Sequence, residues 1–112
     1  MNSPKSSLGC VASVYSRMMV FVSAGDKELG HSHQFDHLTL LAAGTLQITV
    51  DGAVTVFKAP HMIYIHRDKN HELLALEDNT VAYCIHALRK EDDSGDILDP
   101  SMVPNGVMPR GV

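Results

Sequence analysis

The sequence predicts an all-β fold, a sandwich or barrel of short strands. Short apolar or β-branched runs recur along the chain with turn residues between them, and no segment keeps a helical period over a useful length. The clearest run, residues 45–50, alternates aliphatic and polar side chains as a half-buried strand does. Asp51-Gly52 follows it and predicts a two-residue hairpin turn, since both turn positions need positive φ.

The sequence predicts one domain, residues 11–89, with a short segment before it and a tail after it. Residues 1–10 are expected to be a flexible segment, and the first strand covers 11–22. Gly25 and Gly30 bracket a charged loop in which Asp26 and Glu28 are expected to be solvated. An acidic run with prolines and glycines predicts a tail over 90–112. The remaining strands are predicted over 37–43, 45–50, 53–57, 62–65, 72–76 and 80–88.

Composition excludes several classes of partner. The chain has 112 residues and a net charge of −4, which argues against nucleic acid or an anionic membrane as partner. The apolar stretch 18–22 is far too short to span a bilayer. Cys10 and Cys84 have no metal or redox spacing, so free thiols and a cytoplasmic setting are expected.

Histidines carry the strongest chemical signal. His31, His33 and His37 share parity, so in an extended segment their side chains point the same way. Imidazoles that converge on one face suit a divalent transition metal. With His71 as a fourth ligand, the predicted metal set is His31, His33, His37 and His71.

The segment from Gly25 to Gly44 resembles the first conserved motif of the cupin superfamily. That motif is Gly, five residues, His-x-His, three or four residues, Glu, six residues and Gly. The sequence matches every interval and departs at one position, where His37 stands in place of the family's glutamate.

The second cupin motif is matched less well, with its terminal histidine aligned on His71. This alignment places His66, Asp68 and Ala75 where the family has proline, glycine and asparagine. Anchoring the motif on Pro60 instead would place Ile65 at the ligand position, which makes no chemical sense. The resemblance spans about residues 25–88.

The resemblance implies a double-stranded β-helix, or jelly-roll barrel, with one divalent metal in its mouth. It also implies a homodimer, formed by sheet augmentation or by packing of sheet faces. Imidazole suits Fe, Mn, Ni, Cu and Zn, and two open coordination positions favour Fe or Mn with a bidentate substrate, or substrate and O₂. Four neutral imidazoles leave the metal charge uncompensated, which favours an anionic ligand.

The predicted function is a dioxygenase-type oxidoreductase that acts on a small molecule. One alternative is a non-redox isomerase or lyase, which needs a general base that only tyrosines or the other histidines offer. A second alternative is a non-catalytic module that binds a metal or a small ligand.

Further side chains are predicted by environment. His61 and His66 are expected to be solvated, and His86 to be a structural core residue. Five residues are candidates to line a pocket, with packing in the core or in a dimer contact as the favoured alternative: Tyr15, Phe35, Met62, Tyr64 and Tyr83.

Overall fold

The computed structural model describes residues 2–11, 14–31, 37–66 and 69–87, with the main chain alone at positions 10, 11, 31, 37 and 87. These ranges contain strands and no helix, and so no helix that could cross a membrane. The strands are β1 (Lys5–Val11), β2 (Val14–Phe21), β3 (Lys27–His31), β4 (His37–Ala43), β5 (Thr45–Val50), β6 (Ala53–Lys58), β7 (His61–Ile65), β8 (His71–Ala75) and β9 (Thr80–Ala87).

The strands form two antiparallel sheets, which confirms the all-β prediction. One sheet has five strands in the order β1-β2-β9-β4-β7, and the other has four in the order β3-β8-β5-β6. Neighbours in each sheet are mostly distant in sequence, as in a jelly roll. Apart from the β1–β2 and β5–β6 hairpins, consecutive strands lie in opposite sheets. The chain thus alternates between the two layers and forms a barrel.

The apolar core fills one end of the space between the sheets. Met19, Phe21 and Leu41 from the five-stranded sheet are at most 1% exposed, and Leu46 and Ala75 from the other sheet are fully buried. Burial of a large aliphatic or aromatic side chain contributes about 1.5–3 kcal/mol. This end of the barrel is therefore its closed and stable part.

The predicted hairpin is confirmed. Asp51 and Gly52 have φ of 46° and 85°, and β5 pairs with β6 from Val50↔Ala53 outward. Both bounds of β4 and β5 agree with the sequence prediction, whereas β6, β7 and β9 differ from it by one residue at one end and β8 by one residue at each end. Asn79, in the predicted turn before β9, also has positive φ, at 56°.

The structure corrects the prediction for the start of the chain. Residues 5–11 form β1, an edge strand paired with β2 from Lys5↔Val20 to Val11↔Val14, where the sequence predicted no strand. The sequence of β1 is polar and shows no clear alternation. The strand is held by its main-chain pairing with β2, which does not require a side-chain pattern. The single predicted strand over 11–22 is correspondingly replaced by the hairpin of β1 and β2.

Two acidic residues expected to be solvated are in fact engaged. Asp26 is 5% exposed, and its carboxylate accepts hydrogen bonds from the main-chain N–H groups of Ser23, at 3.1 Å, and Asn2, at 3.4 Å. Glu28 lies within β3 and forms an ion pair with Arg17. Both were misassigned because the sequence segment was interpreted as a loop.

Gly44 and Gly52 offer a matched test of packing against backbone strain. Their φ values are nearly equal, at 83° and 85°, but a Cβ at Gly44 would clash with Thr80 Oγ1 and lie 2.8 Å from Thr80 Cα, whereas nothing lies within 4 Å at Gly52. We expect Gly52→Ala to lower the free energy of unfolding by about 1 kcal/mol and Gly44→Ala by about 3 kcal/mol. Urea titrations of both variants check this, and equal losses would contradict it.

Candidate functional site

The inner face of the five-stranded sheet changes from apolar to polar toward one end. Facing residues of β2 and β9 are Met19 and Ala82 in the closed part of the barrel. One row further they are Arg17 and Cys84, and beyond these come Tyr15 and His86. The polar rows are typical of a site at the mouth of a barrel, because a few polar groups in a mostly apolar cavity orient a ligand.

An ion pair joins the polar ends of the two sheets. Arg17 Nη1 of β2 donates to Glu28 Oε1 of β3 at 2.8 Å, and Arg17 Nη2 donates to Glu28 Oε2 at 3.3 Å. Ser6 Oγ accepts from Arg17 Nε at 3.1 Å. Burial opposes the charge of Arg17, but the hydrogen bond and charge of Glu28, together with Cys84 and Tyr15, raise the pKa of Arg17 above its ordinary value. The pair therefore fixes β2 against β3 beside the mouth.

A bulge in β3 sets the position of the first predicted ligand. Glu28 pairs with Leu73 and His31 with His71, so Leu29 and the residue after it oppose a single residue of β8. A bulge reverses the alternation of a strand and commonly re-aims side chains beside functional sites. Because of it, positions 28 and 31 both pair with buried residues of β8 despite their opposite parity.

His71 lies in the inner layer of the four-stranded sheet and is 3% exposed. Its Nδ1 is 3.1 Å from the Lys69 carbonyl oxygen, and a carbonyl only accepts, so Nδ1 carries the proton. That tautomer leaves the lone pair on Nε2, which is the arrangement that metal-ligating histidines adopt. His71 thus has the burial and the Nδ1 hydrogen bond that are typical of a metal ligand.

The predicted hairpin turn braces the main chain before His71. Asp51 Oδ1 accepts a hydrogen bond from Asn70 N–H at 2.9 Å, and Asp51 N–H donates to the Asn70 carbonyl at 2.8 Å. Gly30 makes room on the other side, because a Cβ there would lie 2.8 Å from Asn70 Oδ1. Turn and bulge together fix the start of β8.

The structure places the predicted ligands only in part. His31 and His71 are paired directly across β3 and β8. Position 37 begins β4 in the opposite sheet, paired with Ile65, and His33 lies outside the described residues. Among the described side chains no group of three or more His, Cys, Asp or Glu is close enough to hold a metal. Three of the four predicted ligands have no described side chain, so the four-histidine set stays a prediction.

His86 is the residue whose place the sequence did not reveal. It faces Tyr15 across β2 and β9, and the two ring centroids are 4.7 Å apart. The β4–β9 pairing ends at Leu38↔Ile85, next to His86 in the chain. Burial lowers the pKa of His86 to about 4. It shares the inner face with Ala82, which is fully buried, but β9 is apolar at both parities, so the sequence carries no signal for which residues face inward.

Thr39 of β4 and Cys84 of β9 pair on the inner face at the polar end. Thr39 is fully buried, and its Oγ1 is 3.5 Å from Cys84 Sγ. Burial raises the pKa of the Cys84 thiol, against the opposing effects of Thr39 and Arg17. Cys84 is a free thiol, as predicted, and it is protonated at neutral pH.

The remaining pocket and histidine predictions divide by face. Tyr15 lies on the inner face, whereas Met62, Tyr64 and Tyr83 occupy the outer face of the five-stranded sheet, where they cannot line the barrel. Phe35 lies outside the described residues. His61 and His66 are exposed, as predicted.

Comparison with known proteins identifies the fold. No family model and no curated protein matches the sequence. Among solved structures, KdgF from Halomonas sp. has a TM-score of 0.67 at 15% identity, over 78% of this chain and 80% of that one. A cupin 2 domain-containing protein from Halorhodospira halophila has a TM-score of 0.66 at 17% identity, over 81% and 73%. A cupin-2 domain containing protein from Shewanella frigidimarina has 0.63 at 17%, over 78% and 83%.

These likenesses show a fold. The chain adopts the cupin fold, a jelly-roll barrel of two antiparallel sheets, as the motif spacing had led us to expect. At such identities the likeness does not extend to a reaction or a ligand.

The low pKa of His86 gives a prediction about stability. Its folded-state pKa of about 4 lies below the ordinary 6.5, so between these values the unfolded chain binds a proton that the folded chain does not. Stability should therefore fall as the pH drops from about 6.5 to about 4, by up to about 2 kcal/mol for this partly buried group. We expect metal-free His86→Phe to lose less stability than the wild type over that range.

Urea unfolding at about pH 7 and about pH 4.5, with a chelator present, measures the difference. Carboxylates contribute equally to both proteins, so the comparison isolates residue 86. Identical pH dependence in the two proteins would contradict the assignment.

Proposed function

We propose that this protein is a metal-dependent cupin, a dioxygenase-type oxidoreductase that acts on a small molecule. Its ligands would be His31, His33, His37 and His71. The observation that carries the proposal is the direct pairing of positions 31 and 71 at the polar end of the barrel, with Nε2 of buried His71 as the acceptor nitrogen. That donor chemistry fits a divalent transition metal.

The metal, Fe or Mn by preference, would supply a path for electrons between substrate and O₂. The protein supplies the surroundings. Apolar Ile65 and Val50 flank positions 37 and 71 in their sheets and limit the access of water. With four neutral ligands, the site favours a substrate that coordinates as an anion.

One observation supports the non-redox alternative, an isomerase or lyase. That reaction needs a group that takes up and returns a proton, and the Tyr15 and His86 rings lie together on the inner face, one strand from position 37. The phenol and the imidazole are suited to hold a proton beside a substrate in the mouth. In the dioxygenase, the same pair would position the substrate.

Two histidines allow a controlled test of the metal site. We expect His71→Ala to weaken metal binding at least about tenfold, because it removes a buried ligand. His61→Ala is the matched control, since His61 is exposed and pairs with Leu41 in the closed part of the barrel. Isothermal titration with Mn²⁺ or Zn²⁺ measures both affinities. If both variants bind as the wild type does, the ligand set is wrong.

Oxygen uptake distinguishes the two reaction classes. We expect protein loaded with Fe(II) under anaerobic conditions to consume O₂ when small diketones, thiols or phenolics are added, as recorded by an oxygen electrode. His71→Ala should abolish this uptake, whereas His61→Ala should retain it. Substrate turnover without O₂ uptake, and its loss in Tyr15→Phe, would favour the non-redox alternative and contradict the dioxygenase.

A further inference from the structure

The side chain of Arg17 joins three strands. Along one edge of the guanidinium, Nη1 and Nη2 donate to the two carboxylate oxygens of Glu28 in β3, at 2.8 and 3.3 Å. Along another edge, Nε and Nη2 donate to Ser6 Oγ in β1, at 3.1 and 2.9 Å. A planar group that is held along two edges has one orientation. Arg17 of β2 is therefore a rigid connection between β1 and β3.

The main chain of β3 is held along one side only. Within the described sheet β3 is an edge strand that pairs with β8. Its pairing stops at Glu28↔Leu73 before the bulge and resumes at His31↔His71 after it. A bulge leaves a residue unpaired and disrupts the hydrogen bonds of the ladder locally. Glu28 is therefore the last paired position before the segment that carries the first predicted metal ligand.

A second ion pair on β3 lies on the opposite face of the strand and provides a contrast. Lys27 directly precedes Glu28, so its side chain points away from the barrel, and its Nζ is 2.7 Å from Glu72 Oε1 of β8. The side chains of Arg17 and Lys27 are almost equally exposed, at 27% and 26%. The Lys27 pair joins two strands that are already paired in one sheet, whereas the Arg17 pair joins the two sheets.

We propose that Arg17 is a positioning residue of the metal site, because through Glu28 it holds β3 where position 31 faces His71. The inference rests on the proposed ligand set and adds to it a residue that is not a ligand. Ligands need support that keeps them within about 0.5 Å of the productive geometry. Without the Arg17 contact, the end of β3 beyond the bulge shifts relative to β8, and the site binds its metal more weakly.

Charge and position predict opposite effects when Arg17 is removed. A positive side chain beside the mouth repels a divalent cation, so charge alone predicts that Arg17→Met tightens metal binding. Positioning predicts that the same variant weakens it. Lys27→Met is the matched control, since it removes the same charge from β3 and leaves the contact between the sheets in place. Arg17→Lys keeps the charge but loses the two-point contact, because an ammonium group has no planar fork.

Isothermal titration of the full chain with Mn²⁺ measures the affinity of each variant, and circular dichroism shows that each is folded. We expect Arg17→Met to bind Mn²⁺ about tenfold more weakly than the wild type. Arg17→Lys should lie between the two. Lys27→Met should stay within about twofold of the wild type, since an exposed ion pair within one sheet contributes little.

A double variant covers the case in which Arg17→Met does not fold. That substitution leaves the partly buried carboxylate of Glu28 without its cation, which lowers stability. Arg17→Met/Glu28→Gln removes both charges and leaves the net charge of the chain unchanged. We expect it to bind Mn²⁺ as weakly as Arg17→Met does, because the contact is already lost in the single variant. Wild-type affinity in the double variant would overturn the proposal.

His71→Ala separates failure of this inference from failure of the proposed function. If His71→Ala weakens Mn²⁺ binding but Arg17→Met binds as the wild type does, or more tightly, the ligand set stands and the positioning role is wrong. An equal loss in Lys27→Met and Arg17→Met also overturns the positioning role. If the wild type does not bind Mn²⁺, or His71→Ala binds it equally well, the proposed ligand set is wrong and this inference is overturned with it.

Discussion

The register between β3 and β8 is the constraint on which the candidate site depends. A strand has only two faces, so a shift of one residue would move every side chain of β3 to the other side. The bulge at Leu29 absorbs one extra residue between Glu28 and His31. Glu28 can therefore reach Arg17 in the opposite sheet while position 31 still faces His71. Structural and chemical roles are thus both obtained from one short strand.

The barrel is divided along its length by the same arrangement. Its closed end is held by large aliphatic side chains with no exposed surface, and its polar end is held by the Arg17–Glu28 ion pair and by hydrogen bonds around Asp51. A two-point pair between a guanidinium and a carboxylate fixes orientation as well as distance. Polar groups can therefore line the mouth without loss of the order that a binding site needs.

The sequence predicted what is encoded locally and missed what pairing decides. The Asp51-Gly52 hairpin and the bounds of β4 and β5 follow from turn chemistry and alternation, which short segments contain. β1 was missed because an edge strand can be held by main-chain hydrogen bonds with no side-chain pattern. Tyr83 was assigned to the wrong surroundings for a related reason. Its strand is apolar on both faces, so the alternation does not show which parity points inward.

β4 carries a predicted metal ligand and part of the closed core on one strand. Thr39 and Leu41 are fully buried on its inner face, and position 37, a predicted ligand, begins the strand opposite Ile65. Both buried residues pair with β7 on one side and with β9 on the other, so the strand is held along both of its edges. The geometry of ligands is set by the elements that carry them. The same packing that closes the barrel therefore limits the movement of the main chain that bears this ligand.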